Sequence, residues 1–233
     1  MQTIIHHAED RGKGDYAWLT TRYSFSFANW YDPKRLGFGA LLVINDDRIE
    51  PEQGFGTHQH ENMEIITIVT SGTLTHKDSM GNVGTIGAGE VQVMSAGTGV
   101  AHSEYNASET EPLMLFQIWI RPNVRDVEPR YDQKQFPTDT RGFTKLVGPV
   151  GSSDSLGIHQ DAYITSATLA AGDSHTYDIR KEGNGIYAFV VSGTPAIAGV
   201  PLRARDALGI TETDSFELTA DTPAQVLLIE VPI

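Results

Sequence analysis

"GFGTHQHENMEIITIVTSGT", residues 54–73, holds two signals in one run: an H-x-H pair at His58 and His60, then a β-branched apolar stretch ending in a tight S-G-T turn. A second segment, "GTGVAHSEYN" (97–106), repeats the first signal as His102 and Glu104. Both pairs sit in runs that read as β-strand. Side chains of a strand alternate between faces, so residues two apart point the same way, with Cα atoms roughly 6.5–7 Å apart. Two imidazoles can close that gap onto one ion at about 2.1 Å. Three neutral imidazoles and a carboxylate form a mixed nitrogen and oxygen set suited to a divalent transition metal.

Outward from these segments the chain is almost all strand. Helical periodicity is nearly missing, and short apolar runs recur between Gly, Asn, Asp and Ser clusters. "FGALLVI" (38–44) ends at "NDDR", and "LTHKD" (74–78) meets "SMGN", where Gly81 and Asn82 suit a hairpin turn. "VQVM" (91–94), "LMLFQIWI" (113–120) and "KLVG" (145–148) follow. Between Pro122 and Arg141 the chain turns polar, with three prolines and no period, and reads as a linker. The expected architecture is all-β: two antiparallel, jelly-roll-like β-barrels, a metal-binding unit over 1–135 and a second unit over 136–233.

The second half repeats the pattern of the first. "IVTSGT" (68–73) matches "FVVSGT" (189–194), a strand entering the same turn. His58 and His60 precede Gly72 by 14 and 12 residues, and the same offsets back from Gly193 fall on Ile179 and Lys181. The counterpart of the second ligand strand is "SFELTA", without histidine. The C-terminal copy is therefore expected to lack the metal site.

A formal charge of −13, from 30 acidic and 17 basic residues, argues against direct nucleic-acid binding or docking on anionic lipid. No run approaches the roughly 18–20 apolar residues of a membrane span. Cysteine is absent, which excludes disulfides, thiolate ligands and a thiol nucleophile. The N-terminus shows no basic patch followed by an apolar core, so a cytoplasmic location is expected.

The two segments resemble the cupin motifs. The first reads His58, His60, Glu64 and Gly72; the second reads Gly89, Ser95, Gly97, His102 and Asn106, with Ser in place of Pro and two extra residues before the histidine. The chain is most similar to the pirin family, bicupins with one metal-bearing and one empty half. That resemblance runs from "FSFANWYDP" (25–33) through "HKDSMGN" and "VQVMSAGTGVAHSEYN" to "SLGIHQDAYI", essentially the whole chain. It implies His58, His60, His102 and Glu104 as metal ligands. The general cupin pattern would use Glu64 instead; Glu64 shares parity with the H-x-H pair unless a bulge intervenes. Glu104 is preferred, with Glu64 turned elsewhere or orienting a ligand histidine.

Other polar residues invite plainer readings. His76 is expected to be a solvated strand residue, and His6 and His7 to lie at the surface or a sheet edge. His159 and His175 are read as structural. Met94 and Gln117 are read either as core or as walls of a substrate pocket. Phe25, Phe27, Trp30 and Tyr31 are read as barrel packing, and the run Arg125, Asp126, Glu128 and Arg130 as a solvated linker.

Four protein ligands leave room on the ion for water or substrate, as catalytic sites do. Their charges leave net +1 around a divalent ion, which favours an anionic oxygen such as an enolate. Iron(II) is the first expectation, with Mn, Co, Ni, Cu or Zn as alternatives. The resemblance implies a quercetin 2,3-dioxygenase-like activity on an aromatic or enol substrate with O2, Glu104 or a carboxylate nearby taking the substrate's hydroxyl proton. A second reading is a non-enzymatic, redox-responsive metal protein acting through protein partners. A sugar-phosphate isomerase fits less well, because no basic cluster near the motifs would hold phosphate.

Overall fold

The computed structural model describes residues 1–233. Apart from one 3-10 turn at Ala8–Asp10, every regular element is a strand. No helix is long and apolar enough to cross a membrane. The strands form two facing pairs of sheets, each with seven strands in one sheet and four in the other. They are open sandwiches, with no sheet closed on itself.

In the N-terminal pair, the large sheet runs Arg130–Gln135, Glu90–Ser95, Glu64–Ser71, Leu113–Ile120, Leu41–Ile49, Leu19–Tyr23, Gly12–Asp15. The small sheet runs Gly54–His60, Val100–Asn106, Thr73–Asp78, Val83–Gly87. The C-terminal pair has the same layout. Asn184–Ser192, which carries the repeated "FVVSGT", occupies the central place that Glu64–Ser71 holds in the first pair. Ser215–Ala220 holds the place of Val100–Asn106. The internal repeat read from the two S-G-T turns is thus a repeat of the fold.

Burial explains the long apolar runs. The two large sheets pack face to face through one 24-residue cluster that includes Ile44, Ile66, Phe116 and Ile118 from the first half and Tyr187, Phe189, Leu227 and Ile229 from the second. A strand covered on both faces shows no clean alternation. A polar residue within such a strand must then have a partner or a cavity, because burying it bare costs a few kcal/mol. Asp46 marks the joint with charge: Arg205 Nε lies 2.8 Å from its carboxylate and Arg11 Nη1 3.3 Å. The interior of the second sandwich is filled by apolar side chains, Tyr177, Phe216 and Leu218 among them.

Two expectations about organisation need correction. The polar stretch between Pro122 and Arg141 is not all linker. Arg130–Gln135 pairs antiparallel with Glu90–Ser95, and Phe136 joins the shared core. Its apolar content is low because it is an edge strand with one partner. Within the charge run, Arg125, Asp126 and Glu128 are exposed as expected, whereas Arg130 is half-buried and donates to the Gly157 carbonyl. The first strand, Gln2–His6, pairs with Ala207–Thr211 in the sheet of the second half, so the chain begins across the 135/136 division. His6 lies in that edge strand yet is 8 % exposed, its Nδ1 2.9 Å from the Tyr187 hydroxyl. Burial, with the Arg35 charge adding to it, lowers the His6 pKa to about 4.

Candidate metal centre

Two strands of the small sheet carry the histidines, and their pairing brings the rings together. His102 stands opposite His58, and a bulge follows: Glu104 stands opposite Phe55, so three residues of one strand span two of the other. Gly54 lets the strands approach, since a Cβ there would lie 2.2 Å from the Glu104 carbonyl oxygen. Ring centroids of His58, His60 and His102 are 4.4–5.0 Å apart. One donor atom from each lies within 4.8 Å of the others.

The hydrogen-bonding state of these rings fits a cation. His58 Nδ1 lies 2.8 Å from the Gly56 carbonyl, which can only accept, so Nδ1 carries a proton and Nε2 is the nitrogen left to meet an ion. His60 Nε2 and both ring nitrogens of His102 are buried without a partner. Burial first, and neighbouring imidazoles second, lower the His60 pKa to about 4 and that of His102 to about 3. Neutral rings with unpartnered buried lone pairs are what a divalent metal requires of imidazole ligands. The donor set therefore fits the expected ion.

Glu104 sits at the floor of the cluster, 2 % exposed, in a cradle of three side chains. Gln92 Nε2 donates to its Oε1 at 2.5 Å, Thr67 Oγ1 to the same oxygen at 3.2 Å, and Gln117 Nε2 to Oε2 at 2.9 Å. Burial nonetheless pushes its carboxyl up to about 7 against those three donors. Gln117, Thr67 and Gln92 are in register on neighbouring strands of the large sheet, so the cradle is one polar row across it. Of the two readings of Gln117, the structure shows a cavity wall bonded to Glu104. Met94 is fully buried, packed with Ile65 and Val100 beneath Trp119.

Glu64 lies elsewhere. The turn at Glu61–Met63, where Asn62 has φ 48°, passes the chain from the small sheet to the large one and resets the parity shared with the H-x-H pair. Glu64 points to the face of Ile66 and Ile68, against the second half, and accepts a hydrogen bond from Ser95 Oγ at 2.7 Å. It touches no histidine of the cluster, so the role of orienting one falls away.

His76 also departs from expectation. It is fully buried beneath the cluster, its Nε2 3.0 Å from Asp78 Oδ2 and its ring stacked on Tyr131 at 4.5 Å. One donor atom each from His76, His102 and Glu104 forms a second group within 4.8 Å, and His76 Nδ1 has no partner. A signal was present in the sequence: Leu74, His76 and Asp78 alternate on one face, and all three are buried. Gln92 and Thr67, polar residues inside apolar strands, carry the same signal that singles out Gln117.

The cluster opens onto a cavity of about 570 Å3 in the first sandwich. Aromatic side chains form much of its wall, including Trp18, Tyr23, Phe27, Phe55 and Trp119. Phe27, expected as packing, meets Trp119 edge-on at 5.4 Å, while Tyr31 is exposed. Phe25 alone of that run is fully buried core.

Comparison with known proteins places this geometry in a family. The Pirin family model matches residues 5–120, and that of a quercetinase C-terminal cupin domain matches residues 145–231. The chain is 43 % identical to a protein of Escherichia coli K12 named quercetin 2,3-dioxygenase, over 98 % of each chain. It is 44 % identical to a putative quercetin 2,3-dioxygenase of Pseudomonas aeruginosa, over 94 % of this chain and 95 % of that one. Among solved structures, the bacterial pirin YhhW of E. coli in complex with nickel(II) superposes with a TM-score of 0.94 at 42 % identity, covering 99 % of both chains.

Proposed function

Because the chain belongs to the pirin family of bicupins, we propose that it is a metal-dependent dioxygenase that opens a flavonol, or a related enol-bearing aromatic, with O2. The observation that carries this reading is a cluster of three imidazoles, His60 and His102 held neutral with unpartnered ring nitrogens, beside a buried carboxylate that groups with His102, all opening on an aromatic-walled cavity.

In this reading His58, His60, His102 and Glu104 hold the ion, with iron(II) as the resident metal and Mn, Co, Ni, Cu or Zn as substitutes. A bound divalent transition metal would supply Lewis acidity and a template for the enol oxygen and O2. Glu104 accepts the proton of the substrate's enolic hydroxyl. In the metal-free protein, burial raises this carboxyl's affinity for a proton against its three hydrogen-bond donors. Gln92, Thr67 and Gln117 fix the orientation of the carboxylate, so little reorganisation accompanies the transfer. Trp119, Phe27, Trp18 and Phe55 face the flat rings of the substrate and exclude bulk water from the cavity.

The test is O2 uptake and carbon monoxide release from quercetin by protein loaded in turn with Fe, Mn, Co, Ni and Cu. Turnover with at least one metal, abolished in His102→Ala, is expected. No turnover with any of them refutes the enzymatic reading and favours a metal-dependent regulator with protein partners.

A further inference from the structure

The wall of the cavity beyond Gln117 carries a second polar group that neither the ion nor Glu104 uses. In the large sheet Leu41–Ile49 follows Leu113–Ile120, and Leu19–Tyr23 follows that. Asn45 stands opposite Gln117, Tyr23 opposite Asn45, and Thr21 opposite Asp47. Thr21, Asn45 and Asp47 are 1 %, 4 % and 3 % exposed, and all three line the cavity. Asp47 Oδ1, Asn45 Oδ1 and Thr21 Oγ1 each lack a hydrogen-bond partner. The group lies one to two strand spacings past Gln117, roughly 5–10 Å.

Thr21, opposite on the next strand, and the more distant Arg11 charge offset only part of the cost of burying this carboxyl. No lysine or arginine lines the cavity. The nearby cations, Arg11 and Arg205, are held by Asp46, which points from the same strand to the opposite face. An unpaired buried carboxyl is costly, and burial pushes Asp47 up to about 7, with the charges of Asp46 and Glu104 adding to it. A buried carboxyl with one oxygen unpartnered and no cation beside it, on the wall of a ligand-sized cavity, is set up to be completed by the ligand.

We propose that Asp47, flanked by Thr21 and Asn45, is the specificity-determining anchor for a ring hydroxyl on the part of the substrate remote from the metal. This rests on the flavonol reading above and narrows its substrate class to polyhydroxylated aromatics. A phenolic hydroxyl donates to a carboxylate and accepts from a carboxylic acid, so it satisfies Asp47 in either protonation state. The amide oxygen of Asn45 and the hydroxyl of Thr21 accept or donate the remaining bonds. Tyr23 and Trp18, beside this group on the cavity wall, supply the flat apolar faces that such a ring requires. A ligand without the hydroxyl leaves these oxygens buried and unpaired, which is the strongest basis for rejecting it.

The experiment measures anaerobic binding of quercetin, galangin (which lacks hydroxyls on its pendant ring) and 3-hydroxyflavone (which has no hydroxyl but the enolic one). Nickel-loaded wild-type, Asp47→Leu, Thr21→Val and Asn45→Ala proteins are followed by quenching of tryptophan fluorescence. In the wild type, quercetin or galangin should bind at least roughly tenfold more tightly than 3-hydroxyflavone. In Asp47→Leu, which leaves no group to bond the hydroxyl, that ratio should fall to within about threefold while metal content is retained. Galangin shows which ring is read. Should Asp47→Leu fail to fold, Thr21→Val and Asn45→Ala carry the test, with a smaller drop in the same ratio. A wild type without preference, or variants with an unchanged ratio, overturns the proposal. Binding is read without O2, so a protein that binds with this preference but releases no carbon monoxide refutes the catalytic reading and leaves the anchor standing.

Discussion

Gln92→Leu probes the cradle with little change in volume. The substitution removes the 2.5 Å bond from Nε2 to Glu104 Oε1 and the 3.0 Å bond to Thr67 Oγ1, while Gln117 still donates to the other oxygen. A hydrogen bond to a charged acceptor contributes about 1.5–3 kcal/mol. At about 1.36 kcal/mol per unit, losing it raises the carboxyl pKa by roughly 1–2 units. The sign follows from the form that reacts. Glu104 must be ionised to accept the substrate's proton, and the lost donor favoured the ionised form. The acidic limb of the pH profile of kcat/KM for flavonol oxidation therefore moves to higher pH, and activity at neutral pH falls. Metal affinity, measured by competition with a chelator, should drop about 10–100-fold, as for other groups that orient a ligand carboxylate. An unchanged limb together with unchanged affinity would refute the assignment of the cradle.

In metal-free protein, His6, His60 and His102 are held neutral with pKa values lowered to about 4, 4 and 3 from an ordinary 6.5. The unfolded chain binds more protons below that value, so their contribution is intact above about pH 6.5 and is lost as pH falls toward 4. Melting of the apoprotein should show this slope, and His102→Leu should make it shallower; an equal slope in both contradicts the account. Phe216→Ala opens a cavity in the filled second sandwich, where Phe216 is 4 % exposed, and should cost about 3–5 kcal/mol in denaturant unfolding. Metal stoichiometry should stay at one per chain; its loss would show that the second half shapes the site directly.

Much of this arrangement was legible from spacing alone. Strand alternation put His58 and His60 on one face, and pairing with the strand of His102 brings the three rings together, while Glu104 groups with His76 and His102; the S-G-T turns disclosed the duplicated layout. What escaped the sequence depends on which face of a strand is covered. Thr67 and Gln92 are polar residues inside apolar strands, but each must have a partner only once both faces of its strand are known to be buried. Of the two places open to Glu64, the one found is away from the cluster, because parity carries no further than the next irregular residue, here Asn62 at φ 48°. His76 was read as solvated because it precedes a turn, although its alternation with Leu74 and Asp78 points inward. The exchange of Gln2–His6 into the second half is a long-range pairing with no local signature.

The central claim is one divalent ion held by three imidazoles and one carboxylate. It is tested most directly by metal analysis of protein loaded with nickel or iron, combined with an anomalous difference map from crystals of that protein. The account predicts one metal per chain, bonded to nitrogens of His58, His60 and His102 and to an oxygen of Glu104, and absent from His102→Ala. A chain that retains no metal after loading, or an ion bound through His76 with His58 and His60 left free, would contradict it.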